Sequence, residues 1–78
     1  MDKQDDLKKL GERIKQLRLE RGLSQAKLGL LIMKDQQSIF KVEAGQFNPS
    51  YIYLLELAKG LGITIGELLD FKQNDSLN

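Results

Sequence analysis

Leu23-Ser24-Gln25-Ala26-Lys27-Leu28-Gly29-Leu30-Leu31-Ile32 leads through Met33-Lys34-Asp35 into Gln36-Gln37-Ser38-Ile39-Phe40-Lys41-Val42-Glu43-Ala44-Gly45, and this stretch decides the fold. Ser24 and Asp35 are residues that cap helix N-termini, because a short side-chain oxygen there accepts an otherwise unsatisfied backbone N–H. Leu23 before the first cap can pack on Leu28 as a hydrophobic staple. The stretch predicts a short helix, a tight three-residue turn and a second short helix, which is a helix-turn-helix over about residues 25–44. Gly29 supplies the small residue needed where the backbones approach. Leu28 and Ile32 face inward from the first helix of the pair. On a wheel of about 100° per residue, Ile39, Val42 and Glu43 share the inner side of the second. Gln37, Lys41 and Ala44 fall opposite, with Gln36 and Phe40 on a flank. The outward face carries amides and an ammonium but no acid. A glutamine can bond bidentately to adenine, and a lysine can donate to guanine or phosphate. The same pattern also suits a plain helical hairpin.

Working outward, Leu7, Leu10, Ile14 and Leu17 recur at helical spacing and predict a first helix from about Asp6 to Arg21, stopped at Gly22. Beyond Gly45, Asn48-Pro49-Ser50 reads as a turn with Ser50 capping a fourth helix, whose inward residues are Leu54, Leu57, Ala58 and Leu61. Gly62 ends it. Thr64-Ile65-Gly66-Glu67 is a capping box opening a short fifth helix, stapled by Ile63 and Leu68. Runs that alternate apolar and polar residues are absent. The expectation is an all-α, compact five-helix domain, with residues 1–9 as lead-in and start of helix one, 10–70 as the domain and 71–78 as a flexible tail.

Seventy-eight residues make one domain. A composition 41% hydrophobic and 29% charged is that of a folded chain rather than a disordered one. The chain contains neither cysteine nor histidine. Thiol nucleophiles, imidazole acid–base chemistry and Cys/His zinc sites are therefore excluded, and an enzyme is not expected. The carboxylates are scattered, so neither a metal site nor a cofactor is expected. The first residues lack the basic-then-apolar order of a signal peptide. The longest apolar run, Leu28 to Met33 with one glycine, is too short to span a bilayer. A cytoplasmic binding module is expected. The net charge of +1 is unevenly divided: residues 7–27 carry seven cations against two carboxylates, and residues 64–78 are net acidic. A basic front and an acidic end suit a small polyanion-binding domain, although a solvated lysine- and arginine-rich helix reads the same way.

From Ile14-Lys15-Gln16-Leu17-Arg18, through Leu23-Ser24-Gln25, to Val42-Glu43-Ala44-Gly45, the chain resembles the Cro/cI-like helix-turn-helix family, also called the xenobiotic-response-element family. Asn48-Pro49-Ser50, Leu57-Ala58 and Leu61-Gly62-Ile63 match its later half, so the resemblance covers about residues 10–70. Gln36-Gln37-Ser38-Ile39 is similar to the start of the recognition helix of a lambdoid phage repressor, and the length suits a restriction–modification controller protein. The resemblance implies a sequence-specific regulator of transcription, acting in the nucleoid as a homodimeric repressor on near-palindromic double-stranded DNA. It places base reading on Gln36, Gln37, Ser38 and Lys41. It places phosphate contacts on Ser24, Gln25, Gln46, Asn48 and Tyr53. Gln25 also stands where the free N–H groups of a helix start favour a phosphate. The resemblance further implies an ion pair between Arg18 and Glu43, with Arg18 also able to face phosphate. It implies a dimer surface at Ile65, Leu68, Leu69 and Phe71. About five phosphates neutralised per subunit would give a log–log salt slope of about −4 to −5 per half-site.

Two residues depart from the family pattern. Met33 and Lys34 replace its turn glycine and the apolar residue after it. A bulky residue in left-handed conformation costs about 1 kcal/mol or more, so a different turn path with a longer second helix is expected. Phe40 replaces a polar residue. It can touch thymine methyls or sugar carbons, but packing on a neighbouring helix is preferred. The rival reading is a protein-interaction module, an antitoxin bound to its toxin or an adaptor, with Tyr51, Ile52, Leu55 and Phe71 as its surface.

Overall fold

Every helix begins on a side chain that accepts a backbone N–H of its own first turn. In the computed structural model, which describes residues 2–72, Asp2 accepts from Gln4 at 3.1 Å, Ser24 from Lys27 at 3.0 Å and Asp35 from Ser38 at 2.8 Å. Ser50 accepts from Tyr53 at 3.1 Å and Thr64 from Glu67 at 3.0 Å. The five helices are α1 Lys3–Glu20, α2 Gln25–Ile32, α3 Gln36–Glu43, α4 Tyr51–Leu61 and α5 Ile65–Leu68. No strand occurs among the described residues. None of these helices is long and apolar enough to cross a membrane.

The first helix starts three residues earlier than its apolar periodicity predicts. Asp2 caps it, and Asp5 and Asp6 lie in its first turn, where the helix dipole favours carboxylates. That turn is polar throughout and so carries no apolar signal. Residues 73–78 of the predicted tail lie outside the described residues.

The core gathers Ile14 and Leu17 of α1, Leu28 and Ile32 of α2, Ile39 and Val42 of α3, Tyr53, Leu57 and Leu61 of α4, and Leu68 of α5. The helix-turn-helix pair packs against itself and against both flanking helices, α3 on α1 and α2 on α4. Two glycines permit the close approaches. A Cβ on Gly29 would meet the Lys34 carbonyl oxygen at 2.6 Å, so what passes this glycine is the turn backbone. A Cβ on Gly11 would strike the carbonyl oxygens of Val42 and Glu43. That contact brings the end of α3 directly onto α1.

The turn itself corrects one expectation. The second helix is not lengthened. Met33 takes the left-handed position, with φ 60° and ψ 41°, and Lys34 N donates to the Gly29 carbonyl at 2.8 Å. Met33 is 91% exposed, so its side chain adds strain without packing.

Candidate nucleic-acid interface

The third helix is held on its scaffold by charge as well as by its apolar stripe. Arg18 Nε donates to Glu43 Oε2 at 2.6 Å, and Arg18 Nη2 donates to Glu43 Oε1 at 3.0 Å. Both side chains are buried. The remaining guanidinium nitrogen, Nη1, donates to the Leu23 carbonyl at 2.8 Å. Such a pair avoids the penalty of an isolated buried charge because all its polar atoms are engaged. Arg18 therefore turns inward and does not face phosphate. Gln25 Nε2 also donates to Glu43 Oε1, at 3.1 Å. The residue predicted to clamp phosphate is half-buried and ties the start of α2 to the end of α3.

On the opposite flank of α3, the Ser38 hydroxyl meets the Tyr53 hydroxyl at 2.6 Å. Tyr53 is 7% exposed. Its ring lies under Lys34 Nζ, 5.1 Å from the centroid, and against Phe47, with centroids 5.5 Å apart. Lys34 Nζ also pairs with Glu56 Oε1 at 3.1 Å. Burial raises the Tyr53 phenol above its ordinary range, against the opposing pull of the Ser38 hydrogen bond and the Lys34 charge. The phenol is thus a neutral hydrogen-bonding group. Of the two residues expected at the DNA surface here, Tyr53 packs into the core and Ser38 is half-buried with its hydroxyl bonded to that of Tyr53. The turn Asn48-Pro49-Ser50 gives no sign of this; an aromatic residue three positions after a cap, in step with Leu57, is the available signal.

Between these two anchors α3 presents Gln36, Gln37 and Lys41, all exposed. Asp35, Gln37, Ser38, Lys41 and Phe47 line a shallow groove of about 250 Å³ along that face. Ser24, the cap of α2, is exposed, and Gln46 and Asn48 are exposed in the loop after α3. Phe40 is 46% exposed and does not belong to the core, contrary to the packing reading.

The basic stretch is spent differently from its sequence reading. Arg13 donates to the Leu68 and Glu67 carbonyls at 3.1 and 2.7 Å, closing the end of α5. Arg21 donates to the carbonyls of Leu61 and Leu17, and Arg18 is buried. All three arginines of residues 7–27 join parts of the fold, so they do not form a phosphate-facing row. Leu61 lies 40 residues from Arg21, and Glu67 and Leu68 lie 54 and 55 residues from Arg13, so no local pattern announces these partners.

Of the four residues expected at a dimer surface, Ile65, Leu68, Leu69 and Phe71, the structure buries one. Leu68 is fully buried in the core. Ile65 and Phe71 are half-buried and Leu69 is 37% exposed. Apolar surface continues instead along the α4–α5 groove of about 420 Å³, lined by Ile52, Leu55, Ala58, Ile63 and Ile65 with Glu56, Lys59 and Thr64.

The fold is similar to that of known proteins. A family model described as Helix-turn-helix matches residues 14–68. An uncharacterized HTH-type transcriptional regulator, y4dJ, of Sinorhizobium fredii is 38% identical over 65 residues, covering 82% of this chain and 84% of that protein. The restriction-modification controller protein C.AhdI of Aeromonas hydrophila superposes with a TM-score of 0.84 at 40% identity, covering 88% of this chain and all of that one. The P22 c2 repressor, solved in complex with a synthetic operator, superposes with a TM-score of 0.70 at 31% identity, covering 78% of this chain and 92% of that one.

Proposed function

The chain belongs to the helix-turn-helix family of transcriptional regulators, and from that footing we propose that it is a sequence-specific DNA-binding repressor whose α3 enters the major groove. The observation that carries this reading is the disposition of α3. Gln36, Gln37 and Lys41 stand exposed on a helix that Glu43 and Ser38 pin from its two flanks. A rigid presentation matters because base edges are discriminated by hydrogen-bond geometry. Gln37 and Lys41 read base edges, with Gln36 at the helix start. Ser24, Gln25, Gln46 and Asn48 hold the sugar–phosphate backbone. Phosphate contacts set register, base contacts set sequence, and repression follows from occupancy rather than from any bond made or broken.

In this reading two copies bind a near-palindromic site, with their α3 helices about 34–36 Å apart in successive major grooves. Ile52, Leu55, Ile63 and Ile65 are the apolar surface that supports pairing. The relatives named as an HTH-type regulator and a controller protein support regulation of transcription, and the P22 c2 complex supports operator binding by this fold. Selection of bound duplexes from a random pool tests the proposal. The expected product is an inverted repeat with half-sites one helical turn apart; recovery of no enriched sequence would defeat it. Sedimentation equilibrium tests the pairing separately, since a mass of 8.9 kDa at all micromolar concentrations would exclude a dimer formed before DNA is met.

A further inference from the structure

Phe40 is an aromatic side chain on the helix that carries the exposed amides, and neither the core nor the ring pair Phe47–Tyr53 includes it. It follows Gln36 by one turn, as Lys41 follows Gln37, so the four residues form two adjacent stripes along α3. Gln36, Gln37 and Lys41 offer hydrogen bonds. Phe40 offers a half-exposed apolar ring and nothing else.

The major groove contains one apolar feature for such a ring to meet, the 5-methyl group of thymine. The neighbouring residues make that feature available. A glutamine suits adenine, through its N6 and N7, and every adenine so read is paired with a thymine whose methyl stands in the same groove. Resting on the DNA-reading function proposed above, we infer that Phe40 is a specificity-determining residue that recognises the thymine 5-methyl group beside the base pairs read by Gln36 and Gln37. The ring excludes water from the methyl and gains from burying it, whereas cytosine at that position leaves the contact empty and a C4 amino group without an acceptor in the phenyl ring. Specificity at this position then arises from shape and hydrophobic contact rather than from a hydrogen bond.

Deoxyuridine provides the test, because it removes only the methyl and keeps the hydrogen-bonding edge. Each thymine of the selected operator is replaced in turn by deoxyuridine, and binding of the full chain is measured by titration. One or two positions per half-site are expected to lose about fourfold in affinity, the factor of one buried methyl group. Phe40→Ala should lose about tenfold on the thymine operator, and lose less than about twofold more when those same positions carry deoxyuridine. Its melting temperature is recorded alongside, since an exposed ring is not required by the core. Binding indifferent to every deoxyuridine overturns the inference, as does a Phe40→Ala variant with undiminished deoxyuridine sensitivity. In both cases the DNA-reading function itself survives, because operator binding is still measured. Recovery of no operator from the pool overturns both.

Discussion

Arg18 at the end of α1 grips both carboxylate oxygens of Glu43, the last residue of α3, at 2.6 and 3.0 Å. A guanidinium suits this task because its planar fork donates two parallel hydrogen bonds that fix angle as well as distance. The bond couples folding to recognition: the element proposed to read DNA cannot rotate without uncovering a buried charge.

Removing one partner should be costly. Glu43→Ala or Arg18→Met is expected to lower stability by about 3–5 kcal/mol, since each leaves a buried charge uncompensated. The double variant Arg18→Met/Glu43→Leu should recover at least about half of that loss, because apolar residues replace the pair without stranding a charge. Urea denaturation of the three variants decides it. A double variant as unstable as the singles would show that the lost bonds to Leu23 and Gln25, rather than the stranded charge, carry the cost.

Reading and holding should separate. Gln37→Ala and Lys41→Ala are each expected to lose about 1–3 kcal/mol on the selected operator, with relaxed preference at one or two positions. Gln25→Ala should weaken binding to all duplexes about equally. Titration against the operator and a scrambled duplex distinguishes the two patterns, and unchanged preference in Lys41→Ala would mean that another face of α3 meets the bases.

Salt dependence should be shallower than the charge of residues 7–27 suggests. With Arg13, Arg18 and Arg21 engaged by carbonyls or by Glu43, the exposed lysines of α2 and α3 are Lys27 and Lys41, and Lys34 between the two helices pairs with Glu56. About two or three phosphates neutralised per subunit give a log–log slope of about −2 to −3 per half-site. A measured slope of about −5 would restore the arginines to the phosphate face.

Tyr53 should make stability fall at high pH. Its phenol is held above the ordinary value of 10.0 by burial, so the folded state favours the protonated form. Stability from this group is complete below the unfolded value and declines as pH rises from there through the folded value. Tyr53→Phe removes that decline while costing about 1 kcal/mol at neutral pH, for the lost bond to Ser38. Urea midpoints measured from neutral to alkaline pH should therefore converge for the two proteins; parallel curves would contradict the assignment.

Met33 offers a stabilising change. It holds a left-handed conformation with its side chain almost wholly in solvent. Met33→Gly should raise stability by about 1 kcal/mol, because glycine takes that conformation without a Cβ penalty. A lower melting temperature would show that the exposed methionine has a packing role.

Much of this architecture was legible locally. Ser24, Asp35, Ser50 and Thr64 each announce a helix because a cap bonds a residue two or three positions ahead. The apolar period places Ile39 and Val42 inward and Gln37 and Lys41 outward, and the burial of α3 agrees. Glu43 could be assigned a partner because an inward carboxylate demands one, although the choice of Arg18 came from family resemblance.

What the amino-acid sequence determined by itself, then, is the set of interactions closed within one or two helical turns: where helices start, which side of each is apolar and which residues are left to face outward. Tertiary structure alone decided the rest. It sent Arg13 and Arg21 to carbonyls at the far end of the chain, turned the Tyr53 hydroxyl toward Ser38, buried Leu68 and left Phe40 exposed. The physical reason is range. Capping and amphipathicity are settled by neighbours along the chain, whereas the use of a long polar or aromatic side chain depends on which distant backbone packing brings within about 3 Å.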